Sequence, residues 1–506
     1  MTKVKRFSQP TGCFIFLCLP IIFTLCTTWH GRFARGSRGS PEPIAATLEA
    51  QQPGPPKHRR ADTIHFDVKD VNAPADNVPV IEPWRIVPLD PEYGGQWVLA
   101  ADLDADGSVE ILSCENVNND DVHYTSTAVA QRLDGSVLWR WGDPDIGRKN
   151  WHHDVACQIH DWDGDGKNEV VLCTKGSPGG GQGFLVELDG ATGAERRRFA
   201  IADDATDCLV FCNLAGRCLG GQAGGNRPTD VLVKDRYDRI WAYDCKGALL
   251  WTVTDPGGYR TAHQPRPIDL DGDGRDEILA GYAMLNSDGS LRWVFKSEKV
   301  DQARGHLDCA RVYRKGARPE EFKLVLTCCG ANNIAMIDGN GKTLWEVAGR
   351  HFESIDVGQV LPDARGPQIV VDIDHQPPGD SPIWVLDESG SLLGQIVTDY
   401  SRHHCLLDWT GDGIDEILVA HNGAIYNHRG RRISVFATPG DQPAGAWAGQ
   451  PTANAERSML IGDITSDGVP DVMIATPQRL YVYKNAKGKK PDAPVPLGTE
   501  FNFTLY

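Results

Sequence analysis

Asp269-Leu-Asp-Gly-Asp-Gly-Arg-Asp-Glu277, running into the apolar Ile278-Leu-Ala-Gly281, decides how the 506-residue chain is read. Alternating carboxylates place several hard oxygen ligands on one side of a tight turn, as Ca²⁺ requires, and Gly274 permits the positive φ that closes it. The pattern recurs at Asp102-Leu-Asp-Ala-Asp-Gly-Ser-Val-Glu110, Asp161-Trp-Asp-Gly-Asp-Gly-Lys-Asn-Glu169 and Asp408-Trp-Thr-Gly-Asp-Gly-Ile-Asp-Glu416. A degraded copy stands at Asp463-Ile-Thr-Ser-Asp-Gly-Val-Pro-Asp471. The expected ligands are Asp102, Asp104, Asp106 and Glu110; Asp161, Asp163, Asp165 and Glu169; and Asp269, Asp271, Asp273 and Glu277. Asp408, Asp412 and Glu416 complete the fourth set, and Asp463, Asp467 and Asp471 the fifth.

An EF-hand opens with the same acidic spacing, but it needs a bidentate carboxylate at position twelve and a helix on each side. Here the twelfth residues are Ser113, Leu172, Ala280 and Val419, and strand-like runs such as Glu-Ile-Leu-Ala follow each loop. These are turns between two strands.

Outward from those turns the pattern is short strands with almost no helical period. A second echo marks the last strand of each unit: Asp134-Gly-Ser-Val-Leu-Trp139, Lys246-Gly-Ala-Leu-Leu-Trp251, Asp288-Gly-Ser-Leu-Arg-Trp293 and Asn340-Gly-Lys-Thr-Leu-Trp345. A weaker form is Glu388-Ser-Gly-Ser-Leu-Leu393. Asp-Gly and Asn-Gly between apolar runs are the strongest short-range hairpin signal. Four strands in a unit of about 35–55 residues predict an all-β chain folded as a β-propeller. Eight blades begin near residues 92, 150, 205, 260, 303, 351, 400 and 454, with seven left open because the unit near 205 is poorly patterned. The last unit shows three strands, and Pro79-Val-Ile-Glu-Pro-Trp-Arg-Ile86 is the expected source of the fourth.

The domain reading is a signal peptide or N-terminal anchor over 1–27, a disordered Pro/Gly/Arg-rich linker over 28–77, the propeller over 78–490 and a tail over 491–506. Lys3, Lys5 and Arg6 ahead of an apolar stretch from Cys13 to Cys26 have the layout of an export signal. The expectation is a monomer that is secreted, periplasmic or at the cell surface, touching a membrane only if that segment stays uncleaved. A net charge of −17 argues against a nucleic-acid partner, which calls for a basic footprint. Of 14 cysteines three lie in the leader. The rest form no regular framework, with one local bridge expected among Cys208, Cys212 and Cys218, and Cys328-Cys329 read as core.

The chemistry is expected at the starts of the inner strands, where His, Arg and Tyr recur. They stand in Trp151-His-His-Asp154, Tyr259-Arg-Thr-Ala-His263, Arg304-Gly-His-Leu-Asp308, Arg350-His351 and Ser401-Arg-His-His404, with Arg457 alone. A propeller gathers those starts at one mouth of its channel. A funnel of imidazole, guanidinium and phenol suits an acidic polysaccharide. Elimination on a uronate needs a cation on the carboxylate, a base for the C5 proton and an acid for the leaving oxygen. A glycoside hydrolase needs two opposed carboxylates instead, and the Asp and Glu of this chain read as mostly committed to the turns. His160, beside a turn, reads as structural.

The run His153-Asp-Val-Ala-Cys-Gln-Ile-His-Asp-Trp-Asp-Gly-Asp-Gly-Lys-Asn-Glu-Val170 resembles a blade of the calcium-rich rhamnogalacturonan lyases, as do His263 with the 269–277 turn and Gly305-His306. Lys234-Asp-Arg-Tyr-Asp-Arg-Ile-Trp-Ala-Tyr243 resembles the propeller ulvan lyases, and the turns resemble FG-GAP/VCBS-type repeats. The resemblance implies His and Tyr as base and acid, an Arg on the uronate and structural Ca²⁺. It carries that site onto His153, Tyr237, Arg260, His263 and His306, with base and acid left open between His153 and Tyr237. The alternative is a non-catalytic, integrin-like calcium propeller that binds glycan or protein, although the Phe-Gly and Gly-Ala-Pro elements of such repeats are missing. A quinoprotein propeller is disfavoured by the Asp-rich turns.

Overall fold

A computed structural model describes residues 65–71, 78–95, 97–119, 122–147, 157–177, 180–214, 228–377, 379–402, 404–441 and 457–491. The leader, most of the linker, the tail beyond residue 491, Cys218 and His153 lie outside the described residues.

Eight sheets follow one another in chain order, each with its strands in sequence, so the eight-bladed reading holds and seven is excluded. The first strands of the blades begin at Trp97, Cys157, Cys208, Thr261, His306, Phe352, His404 and Ser458. They are the inner strands, and those of neighbouring blades pack on one another around the channel. Their burial explains the apolar runs: Glu277–Gly281, a second strand, is buried throughout.

Three N-terminal strands bind the ring. Strand β3, Arg85–Pro88, pairs antiparallel with Arg479–Tyr483 and completes the last blade, as the sequence suggests. Strand β2, Val80–Ile81, adds in parallel to the outer edge of the seventh blade. Strand β1, Phe66–Lys69, adds in parallel to the outer edge of the sixth. The linker boundary at residue 77 is therefore corrected. Phe66-Asp-Val-Lys69 has the apolar alternation of a strand, but four residues are too short a run to stand out beside a Pro-rich stretch.

The blades are joined by aromatic rings. In four blades a fourth-strand Trp lies over the glycine turn of the next blade and donates its indole N–H to a carbonyl there. Trp139 bonds Gly190 (2.7 Å), Trp251 Ser287 (3.0 Å), Trp293 Gly339 (3.0 Å) and Trp345 Glu388 (2.9 Å). A Cβ on Gly193 would sit 2.5 Å from Trp139, and one on Gly341 2.6 Å from Trp293, so both turns must be glycine for sterics as well as for positive φ. In the second blade Phe199 takes this place over Gly247, and in the sixth Gly394 occupies the position of the Trp. The Phe66 ring of β1 fills that gap: it lies 2.4 Å from a Cβ built on Gly394 and 2.7 Å from one on Gly430 of the next blade. A residue 328 positions away thus supplies the missing ring.

Among the described residues Cys208 and Cys212 are buried thiols, which removes them from the expected local bridge; strand pairing buries both as small apolar side chains. Cys245 is disulfide-bonded, to a cysteine outside the described residues.

Phe66→Ala should destabilise the ring by about 3 kcal/mol or more, the usual cost of emptying a buried aromatic site, read as a lowered denaturant midpoint. Gly394→Trp should be harmful alone, by collision with Phe66, and should recover stability in the Phe66→Ala background.

Candidate functional site

Strand direction divides the two mouths of the channel. The Asp-rich turns join first to second strands, so they lie at one end. Connections entering the first strands, and hairpins between second and third strands, lie at the other. Tyr237 belongs to such a hairpin, between Asp230–Lys234 and Arg239–Tyr243, while Arg260 directly precedes Thr261–Ile268, which carries His263. His306 opens the next inner strand.

These four residues meet. The His306 and His263 rings approach edge to face with their Nε2 atoms 2.9 Å apart. The Tyr237 ring lies 4.8 Å from His306 and 5.9 Å from His263, centroid to centroid. Arg260 lies 5.0 Å from the Tyr237 centroid, and Arg236 5.1 Å. Arg260 is exposed and Tyr237 half-exposed, whereas both histidines are buried beneath them. His160, at the other mouth, bonds the Pro228 carbonyl and packs on Phe211, in agreement with a structural role.

The expectation that the carboxylates are mostly spent on the turns needs correction. Asp207, Asp308, Glu353 and Asp374 are all buried at this mouth. Asp308 Oδ1 lies 3.1 Å from His306 Nε2 and 3.5 Å from His263 Nε2. Burial pushes His306 down to about 4, with Glu353 opposing and the charges of Arg236, Lys234 and Arg260 assisting. Burial pushes Asp308 up, with Glu353 adding and His263 opposing. Both groups are therefore held toward their neutral forms. Glu353 behaves oppositely: burial works to raise it, but Arg402 at 2.9 Å and His351 at 2.9 Å hold it ionised. Burial works to lower His351, but Glu353, with Asp308 and Asp374 adding, raises that imidazole to about 9.

A second buried group flanks the first. Lys234, 1% exposed, bonds Asp207 Oδ2 at 2.9 Å and the Arg236 carbonyl at 2.9 Å. His123, from the hairpin between Glu110–Asn119 and Val122–Gln131, pairs with the same carboxylate and contacts Arg236 Nη1 at 3.3 Å. His123 has no signature in the sequence. Lys234-Asp-Arg-Tyr237 does, and its register with Asp207 is visible only once strands 208–212 and 230–234 pair.

Metal-binding geometry occurs at both mouths. Ligand atoms of His263, His306 and Asp308 lie within 4.8 Å of one another, as do those of Asp308, Cys329 and His351. At the other mouth the same holds for Asp102, Asp104 and Glu110, for Asp161, Asp163 and Glu169, and for Asp269, Asp271 and Asp273. In the last turn the leading Asp269 accepts from Gly272 and Gly274, which shapes the loop and leaves Asp271 and Asp273 facing one another across it. Turns 408–416 and 463–471 carry Thr at the third position and form no such cluster among the described residues. In the latter Lys484 reaches Asp467 at 2.9 Å, an ammonium beside the degraded copy.

Asp207→Asn would leave the Lys234 ammonium buried without its carboxylate, and it should cost about 3–5 kcal/mol in a denaturation experiment.

No family model matches the chain. It is 27% identical over 393 residues to the rhamnogalacturonan exolyase YesX of Bacillus subtilis (strain 168), covering 64% of this chain and 60% of that protein. It is 26% identical over 466 residues to the rhamnogalacturonan endolyase YesW of the same organism, covering 79% and 71%. The chain thus spans less than two thirds of the YesX relative. Superposition on the crystal structure of YesW gives a TM-score of 0.56 at 20% identity over 81% of this chain and 77% of that one. The Vibrio cholerae biofilm matrix protein Bap1 reaches 0.54 at 13% identity, covering 82% and 92%, so the architecture alone does not name an activity. In sequence and in fold together, the chain is a homologue of the rhamnogalacturonan lyases.

Proposed function

We propose that the chain is a polysaccharide lyase that cleaves a uronic-acid-containing polysaccharide, of rhamnogalacturonan or ulvan type, by β-elimination at the His263–His306 mouth. The observation that carries this reading is the convergence of Tyr237, Arg260, His263 and His306 in a homologue of such lyases. Arg260, exposed at the rim, takes the uronate carboxylate, with Arg236 behind it. Neutralising that carboxylate acidifies the C5 proton. Tyr237, half-exposed between the two guanidiniums, exchanges a proton with the sugar. The C5–H bond gives its electrons to a new C4–C5 double bond, the C4–O bond breaks, and the departing oxygen takes up a proton. The buried His263–His306–Asp308 set orients Tyr237 from below, and a divalent cation there would add positive charge beneath the carboxylate. His153, outside the described residues, stays the second candidate for proton transfer.

The same reading makes the Asp-rich turns calcium sites that brace the far mouth. It also places the protein outside the cytoplasm, where Ca²⁺ is abundant and the Cys245 disulfide persists. The supporting features at the turns are the clustered Asp oxygens and the buried Glu169 and Glu416, which burial raises to about 7 and which a nearby cation would hold ionised.

Ultraviolet absorbance of the unsaturated uronyl end should rise when the full chain meets rhamnogalacturonan or ulvan. Tyr237→Phe should lower kcat by about 10²–10⁴-fold, the range for a proton-transfer group, and Arg260→Ala should raise KM. A flat trace on every uronate polymer from folded protein would leave a non-catalytic binding propeller. Separately, Ca²⁺ at about a hundred times its Kd should add about 2.7 kcal/mol of stability. Chelation should reverse the gain, and Asp271→Asn should reduce it.

A further inference from the structure

We propose that Asp308, Cys329 and His351 form a binding site for a divalent cation of the zinc type, set beside the His263–His306 pair and distinct in chemistry from the Asp-rich turns. Cys329 ends the second strand of the fifth blade, His351 directly precedes the first strand of the sixth, and Asp308 lies between them on the fifth blade's inner strand. Three chain segments thus bring a thiol, an imidazole and a carboxylate to within 4.8 Å of one another.

The distances also fit a coordinated ion. Cys329 Sγ and His351 Nε2 are 3.5 Å apart. A tetrahedral Zn²⁺ with sulfur at about 2.3 Å and nitrogen at about 2.0–2.1 Å spans about that separation. Asp308 is 1% exposed; its Oδ1 has only His306 Nε2 at 3.1 Å and His263 Nε2 at 3.5 Å beside it, and neither of its oxygens makes a well-aligned hydrogen bond. A buried carboxylate in that condition is costly, and a cation against it removes the cost. The neighbouring charges are arranged for the same end: Arg402 holds Glu353 at 2.9 Å, and Glu353 contacts His351. That carboxylate bonds the same Nε2 that faces the thiol, so an ion would take the place of the proton now held between them. On the solvent side the half-exposed ring of His375 stacks on His351 at 4.1 Å, and Cys329 and His351 are themselves only partly buried.

The donor set decides the metal. Sulfur and nitrogen select a borderline-soft ion such as Zn²⁺, whereas the all-oxygen turns suit a hard one. Binding replaces the thiol proton of Cys329 and the ring proton that His351 shares with Glu353, so two protons leave for solvent as the ion enters. Asp308 also faces His263 and His306, so the ion would share its carboxylate with the proposed elimination site without depending on that chemistry.

The test loads full-length, chelator-stripped protein with Co²⁺ in the presence of excess Ca²⁺ and records the near-ultraviolet spectrum. The site predicts a thiolate-to-cobalt charge-transfer band that saturates at one equivalent. The band should vanish in Cys329→Ser, collapse in His351→Gln and persist in Cys328→Ser, with matching losses of retained zinc by atomic emission. Cobalt binding without a thiolate band, or zinc content unchanged in Cys329→Ser, would overturn the proposal. Because the readout is spectral and stoichiometric, lyase inactivity with the band intact would count against the elimination reading alone.

Discussion

Everything in this molecule depends on an aromatic ring lying over a glycine turn. Eight four-stranded sheets have no reason to close on one another unless each presents its neighbour with a large buried surface, and rings over glycine turns supply part of it at six of the junctions: four indoles, Phe199 and Phe66. The ring brings steric exclusion and an indole hydrogen bond to the same place, which makes each junction specific in register as well as favourable. Where the sixth blade lacks its indole, the chain recruits Phe66 from an N-terminal strand. Closure is therefore secured twice, by β3 completing the last blade and by β1 and β2 lying along the outer edges of the two before it. Covering those edges also removes exposed strand that could pair with another molecule.

Closure creates the site. The His, Arg and Tyr of the strand starts belong to different blades and would be scattered on an open sheet. In the ring they share one mouth with carboxylates that are almost fully buried. Such a concentration of charge is expensive, and the protein resolves the expense differently at each place. Glu353 is kept ionised by Arg402 and His351, while Asp207 is paired with Lys234 and His123. Asp308 and His306 are pushed toward neutrality instead. Paired groups next to groups held off their ordinary charge are typical of functional sites. At the opposite mouth the leading Asp residues sit in exposed turns bonded to backbone amides, and the strain falls on the buried Glu169 and Glu416 behind them, which burial raises to about 7.

The sequence made local features legible and left long-range ones hidden. Asp-rich turns, Gly turns and fourth-strand Trp residues each lie within nine or so residues, so their spacing alone gave the propeller and its blade starts to within a few positions. Arg260, His263 and His306 could be grouped because equivalent blade positions must converge, whereas Tyr237, in a hairpin between second and third strands, was reached only through the resemblance of the 234–243 segment to known lyases. Phe66 could not be read as a blade element, since its partner Gly394 is identified only by what that blade lacks. Asp207, Asp308 and Glu353 were invisible for a different reason. Next to so many turn carboxylates, single acidic residues inside strands carry no pattern, and only the pairing of strands shows that they are buried beside cations. Cys328 is core as read, while Cys329 beside it is only partly buried and ends its strand at the mouth, with its thiol 3.5 Å from His351 Nε2.

The central claim is elimination at a propeller mouth, and the most direct measurement of it is where the oxygen of water goes. Cleavage of a uronate polymer in heavy-oxygen water, followed by mass spectrometry of the new ends, separates the two ways of breaking a glycosidic bond. Elimination leaves an unsaturated uronyl end, with no heavy oxygen incorporated at cleavage and with products lighter by one water than their hydrolytic counterparts. Hydrolysis would place heavy oxygen in every cleaved product, and that result would contradict the account at its root.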